Sequence, residues 1–327
     1  MAGPRAALVI ITAMRVLLTG ASGFVGSALV PRLRAQGHVL RALARDPARV
    51  QAALSRLPGP PGDDLEVVTG DVLTGAGLDA ALVEIEVAYY LVHSMEASSD
   101  GPFPERERRS AQNFAAATRR AGVQRVIYLG GLAPQGHAAS RHLASRLAVE
   151  EILLASAPDS LALRASIVIG ARSRSFRFLV HLVERLPVLA LPPWRANRTA
   201  PIDARDMLEL LTAAATSREA AGRSLDVAGP EVMTYGAMIT RIADLMLVGR
   251  PRLRLGLSAT PVAGPLAAAI AGEDPELILP LMEGLESDLL PRDDDSARLL
   301  GVRLHSFQAA VERALRDWEA AETLAAR

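Results

Sequence analysis

Three glycines in the run Thr19-Gly20-Ala21-Ser22-Gly23-Phe24-Val25-Gly26 stand at G-x-x-G-x-x-G spacing, directly after the apolar stretch Val16-Leu17-Leu18. Each meets a different demand of a dinucleotide pyrophosphate. Gly20 lets the chain turn sharply, Gly23 lets backbone approach the phosphates, and Gly26 lets the following helix lie close on the sheet. That helix would offer unpaired N–H groups and the positive end of its dipole to the phosphates. The alternative is a glycine-rich turn with no ligand.

For that chemistry the loop must join a strand to a helix. Arg15 to Thr19 is expected as the first strand and Gly23 to Gln36 as the first helix, ended by Gly37. Pro31 should kink that helix or remove one of its hydrogen bonds. A second strand is expected at His38 to Ala44, and Asp46-Pro47 reads as a helix cap with proline in the first turn. Further strands are expected at Leu65 to Thr69, Val87 to Val92, Val123 to Leu129 and Ser160 to Ile169. Helices are expected at Leu78 to Val83, Glu105 to Ala121 and Ser140 to Leu154. Ala111, Phe114 and Ala115 share one face of the second of these. Strands alternating with helices predict an α/β fold with a doubly wound parallel sheet. The expected division is an amino-terminal extension (1–13), a dinucleotide-binding core (14–170) and a smaller, mostly helical carboxy-terminal lobe (171–327). One strand of that lobe, Ser224 to Val227, should return to the sheet.

Composition narrows the partners. The chain has 327 residues, half of them apolar, and a formal charge of zero. A small-molecule partner is expected, and neither nucleic acid nor an acidic membrane surface. With no cysteine there are no disulfides, thiolate nucleophiles or cysteine-bound metals. All 36 basic residues are arginine, which excludes any mechanism built on a lysine. His38, His137, His181 and His305 show no metal-ligand spacing, and no metal is expected. Ala6 to Ala13 reads as an extension ahead of a second start at Met14, not a signal peptide. Leu255 to Gly272 is uncharged and about as long as a membrane span. It contains Pro261 and Pro265, and reads instead as a packed helical region. The expected location is the cytoplasm.

The ordered series of motifs resembles the atypical and extended short-chain dehydrogenase/reductases, in their NmrA-like NAD(P)-binding branch. It comprises the glycine run, Gly70-Asp71-Val72, Tyr89-Tyr90-Leu91-Val92-His93-Ser94-Met95, Tyr128-Leu129-Gly130-Gly131-Leu132, Leu163 to Gly170, Pro201-Ile202-Asp203 and Ala228-Gly229-Pro230-Glu231. The resemblance implies a Rossmann core in which Gly20, Ser22, Gly23, Phe24, Val25, Gly26, Arg45, Asp71, Val72 and His93 line the cofactor. Arg41 and Arg45, in the second strand and at its end, suit a 2′-phosphate through charge-assisted bonds and favour NADP(H), with NAD the alternative. Asp71 would contact the adenine or simply form a turn. His93 and Ser94 would face the nicotinamide or substrate, or bond locally at a strand end. Tyr89, Tyr90 and Tyr128 are expected in the core.

Members of the superfamily use a tyrosine with a lysine four residues later on one helix, and a serine ending the fifth strand. This chain departs at all three positions. The fifth strand ends in Gly130-Gly131, and the i, i+4 pair in register is His142 and Arg146. In one reading His142 is a replacement proton donor and Arg146 holds the ribose. In the other they bind cofactor or cap the helix, without conventional carbonyl reduction. Ser173, Ser175, Phe176, Trp194, Arg195 and Thr199 fall where the substrate pocket or ordinary packing would need them. The function expected is an NADP(H)-binding oxidoreductase acting on a small organic substrate by hydride transfer. The alternative is a non-catalytic NAD(P)H sensor or scaffold of the NmrA-like type.

Overall fold

The computed structural model describes residues 13–57, 65–92, 102–135, 140–254 and 284–322. The chain runs β1 (Arg15–Thr19), α1 (Phe24–Ala35), β2 (Val39–Ala44), α2 (Pro47–Leu54), β3 (Glu66–Thr69), α3 (Leu78–Ala81), β4 (Val87–Tyr90), α4 (Phe103–Ala121), β5 (Arg125–Gly131), α5 (Arg141–Leu154) and β6 (Leu161–Ala165). It continues through β7 (Val168–Ile169), α6 (Arg174–Arg185), β8 (Leu189–Leu191), β9 (Arg198–Thr199), β10 (Ile202–Asp203), α7 (Ala204–Ala214) and β11 (Ser224–Val227). β12 (Met233–Thr234), α8 (Tyr235–Leu245), β13 (Arg252–Arg254), α9 (Asp295–Leu299) and α10 (Phe307–Glu319) follow.

Seven strands form one parallel sheet in the order β11-β6-β5-β4-β1-β2-β3. The chain builds outward from β1 to β3, returns to the other side of β1 with β4, and builds outward again. The reversal between β1 and β4 opens a crevice at the carboxyl ends of the strands, where such sheets bind ligands. Both faces of the sheet are covered. Val16, Leu18, Tyr89 and Leu129 pack with Leu29 and Leu33 of α1 and Met207 and Leu211 of α7. Leu17, Tyr90 and Tyr128 pack with Phe114 of α4 and Val149 and Leu153 of α5. This double burial explains why the strands read as continuous apolar runs. Ser224–Val227 pairs with β6 as expected, and a separate, mostly helical core gathers Phe176, Met238, Phe307 and Trp318.

Three local readings change. α1 continues through Pro31, whose ring lies on the exposed face. β5 starts two residues later than expected because Gly122 (φ 69°) ends α4 and the Val123 N–H closes back on the Thr118 carbonyl. The single sixth strand divides into β6 and β7. The Ser166 N–H turns to the Val227 carbonyl, and β7 pairs with β10 instead. The segment Leu255 to Gly272 lies outside the described residues. No helix among the described residues is long and apolar enough to cross a membrane.

Candidate active site

The three glycines differ in what their surroundings require. Gly20 has φ 77°, and a Cβ there would lie 2.7 Å from the Leu91 carbonyl oxygen of the chain leaving β4. A Cβ on Gly26 would lie 2.3 Å from the Gly20 oxygen, so the start of α1 packs on the loop itself. Gly23 has φ −77°, and its nearest neighbour would be the Gly20 oxygen at 3.2 Å. The protein's own packing demands a glycine least at this position, where backbone is expected to meet a ligand. α1 starts at Phe24 with no side-chain cap and no acid in its first turn. Ser22 and Gly23 are exposed, and Phe24 and Val25 half-buried. An uncapped helix end beside an open glycine fits a pyrophosphate. Thr19 stitches the crevice floor. Its hydroxyl donates to the Tyr89 carbonyl at 3.0 Å and accepts from the Leu91 N–H at 3.2 Å.

Arg45 is exposed at the end of β2, and the adjacent Asp46 is occupied as the cap of α2, accepting from the Ala48 N–H at 2.9 Å. Arg41 is committed elsewhere. Its guanidinium binds Glu66 of β3 at 2.7 Å and the carbonyls of Ala81 and Val83 at 3.1 and 2.8 Å. Asp71 forms a turn, one carboxylate oxygen accepting from the Leu73 N–H at 2.8 Å. Asn113 on α4 holds that turn by donating to the carbonyls of Val72 and Leu73. The Val72 side chain is buried in the core. His93 lies outside the described residues.

The opposite wall is the first turns of α5, capped by Ser140. Glu150 anchors the helix from below. It takes a forked bond from Arg164 of β6 (2.6–3.1 Å) and a hydroxyl bond from Ser224 of β11. His142 is half-buried and stacks on Phe103 of α4, ring centroids 5.4 Å apart. Burial, and then the Arg146 charge one turn away, pull the imidazole pKa down to about 4. The resident form at neutral pH is therefore the uncharged ring. Arg146 is buried, donates to the Leu129 carbonyl of β5 at 3.2 Å and lies over the Tyr128 ring. Burial raises the pKa of Tyr89 and Tyr90 and pushes Tyr128 up to about 12. These tyrosines are core residues, as expected, and are poor proton donors.

Several expected pocket residues serve packing. Ser173 caps α6, Phe176 and Trp194 are buried in the second core, and Thr199 bonds Ser166. Sequence reasoning missed Asn113, Glu150 and Arg164. A polar amide within a helix, a poor helix former, was the one available signal for Asn113.

Residues 20–166 match the family described as NAD(P)H-binding. This match, together with the relatives below, is consistent with an atypical short-chain dehydrogenase/reductase. Relatives with names of redox enzymes are similar to it in sequence. The ceramide reductase of Caulobacter vibrioides is 26% identical over 292 residues, 78% of this chain and 88% of the relative. The 3-beta-hydroxysteroid dehydrogenase of Mycolicibacterium neoaurum is 32% identical over 122 residues, 35% of this chain and 31% of its own. In fold, the chain is similar to the Bordetella bronchiseptica enzyme WbmG in complex with NAD and UDP. The TM-score is 0.72, with 18% identity and 97% of each chain covered.

Proposed function

We propose that this chain is an NADP(H)-dependent oxidoreductase that acts by hydride transfer on a carbonyl group, or the corresponding alcohol, of a small organic substrate. The observation that carries the reading is the uncapped start of α1 at Gly23, opening on the same sheet edge as the His142 turn of α5. The N–H groups of α1 hold the pyrophosphate, and Arg45 meets the 2′-phosphate, its acidic neighbour being used up as a cap. Bound cofactor supplies or accepts the hydride. The neutral His142 ring offers a hydrogen bond to the substrate oxygen, and the Arg146 charge favours negative charge developing there. Relatives named as a reductase and a dehydrogenase support the redox class, and the one named a ceramide reductase brings ceramide-like lipids into consideration.

The test is titration with NADPH and NADH, then NADPH oxidation against quinones, enones, aldehydes and long-chain ketones. Substrate-dependent oxidation is the expected result, and absence of binding to either nucleotide overturns the reading. Tight binding without turnover would favour a nucleotide sensor, the reading supported by the absent Ser/Tyr/Lys set. Arg45→Ala is expected to weaken NADPH about 10- to 100-fold, the value of a charge-assisted bond, and to leave NADH binding unchanged. Equal loss for both nucleotides would remove Arg45 from the 2′-phosphate.

A further inference from the structure

Asn113 of α4 gives the hydrogens of its amide to successive backbone carbonyls of the turn after β3, Val72 at 3.1 Å and Leu73 at 2.8 Å. The peptides among the described residues are trans, so a C=O and the N–H that follows it point in opposite directions. Drawing the Val72 carbonyl to α4 therefore aims the Leu73 N–H away from α4. The acceptor it meets is a carboxylate oxygen of Asp71, at 2.8 Å. The rest of the turn closes round the same residue. The Asp71 N–H donates to the Ala76 carbonyl, and the Asp71 carbonyl accepts from the Gly75 N–H, both at 2.8 Å. Asn113 thus acts on the Asp71 carboxylate through one peptide unit.

A carboxylate has two accepting oxygens, and the turn uses one. Asp71 is half-exposed, and its place on the sheet says what the other oxygen can meet. Ala44 pairs with Thr69, and the Gly70 N–H donates to the Ala44 carbonyl at 3.0 Å. Arg45 and Asp71 therefore leave neighbouring strands side by side. With the pyrophosphate on α1 and the hydride chemistry at α5, the adenosine half of a dinucleotide has the ends of β2 and β3 to lie on. From β1 to β3 is two strand spacings, about 10 Å. The ribose then falls at Arg45 and the base one strand further out, at Asp71. Adenine carries an exocyclic amino group, a donor that suits a carboxylate.

We propose that Asn113 is a positioning residue for base recognition: it fixes the 72–73 peptide, that peptide orients the Asp71 carboxylate, and the second carboxylate oxygen accepts from the adenine amino group. The inference rests on the cofactor site proposed above. It adds a residue, two steps from the ligand, that decides how well the site tells adenine from other bases.

The experiment titrates wild type, Asn113→Ala, Asp71→Ala and the double variant with NADPH and with its analogue carrying hypoxanthine, in which oxygen replaces the amino group. Wild type is expected to prefer NADPH about 10- to 100-fold, the value of a hydrogen bond to a charged group. In Asn113→Ala and in Asp71→Ala that preference should fall to about threefold or less, and the double variant should lose no more than either. A purely structural Asn113 would lower the melting temperature and weaken both nucleotides equally, so an unchanged ratio in the folded variant overturns the proposal. If Asn113→Ala does not fold, Asn113→Ser, which keeps a single donor, is read in its place. Wild type that binds both nucleotides equally also overturns the proposal and leaves the cofactor reading standing. Wild type that binds neither overturns the cofactor reading, and this inference with it.

Discussion

His142→Gln is expected to lower kcat by about 10²- to 10³-fold, the contribution of one donor placed on developing negative charge, with NADPH affinity within about twofold of wild type. Steady-state kinetics beside a fluorescence titration separate the two effects, and undiminished turnover would remove His142 from the chemistry. The pH profile is the sharper test. A free imidazole would place an inflection near 6.5, but burial and the Arg146 charge move this ring to about 4. The inflection that His142→Gln removes is therefore expected near 4. Stability follows the same group. The unfolded chain takes up the proton near 6.5 and the folded chain only near 4, so folding weakens as pH falls through that window. The glutamine variant should lose less stability between pH 7.5 and 5 in urea titrations. An inflection near 6.5 that persists in the variant would belong to another residue.

The parts of the site legible in the sequence are those fixed by local backbone demands. Gly20 must adopt positive φ, Asp46 before Pro47 can do little but cap a helix, and Ala111, Phe114 and Ala115 can only share a face. Those constraints sufficed for the sheet, its return strand and the glycine loop. What stayed hidden depends on which distant strands lie side by side. Arg41 and Arg45 look equally able to meet a phosphate until the register of β2 on β3 places Arg41 against Glu66. Glu150 and Arg164 are separated by 14 residues on different elements, and nothing in their spacing predicts a forked pair. Phe176 and Trp194 suit a pocket as well as a core, and only the packing of Phe176 on Trp318 of α10 and of Trp194 on Tyr235 of α8 decides for the core. The low pKa of His142 lies between these cases. The i, i+4 arginine is visible in the sequence, but the burial that contributes more is not.

Gly23→Val and Gly26→Ala are expected to fail in different ways, and the contrast tests the cofactor site without any substrate. At Gly26 the added carbon would meet the Gly20 oxygen at 2.3 Å, the Gly20 carbonyl carbon at 2.8 Å and Ala21 Cα at 2.9 Å. All three are backbone atoms that cannot rotate aside, so the ligand-free protein should lose about 3 kcal/mol or more in urea unfolding. At Gly23 the backbone tolerates a side chain and the one close atom is 3.2 Å away. The ligand-free valine variant should therefore lose only about 1 kcal/mol, the difference between good and poor residues at a helix start. Its side chain would stand between the phosphates and the first N–H groups of α1. Losing two charge-assisted bonds should weaken NADPH and NADH alike by at least about 100-fold. Wild-type affinity in Gly23→Val would mean that the pyrophosphate does not lie on this helix. An equally unstable pair of variants would mean that Gly23 serves the fold, as Gly26 does. The expected separation, stability lost at one glycine and binding at the other, requires a loop shaped partly by the protein and partly by what it holds.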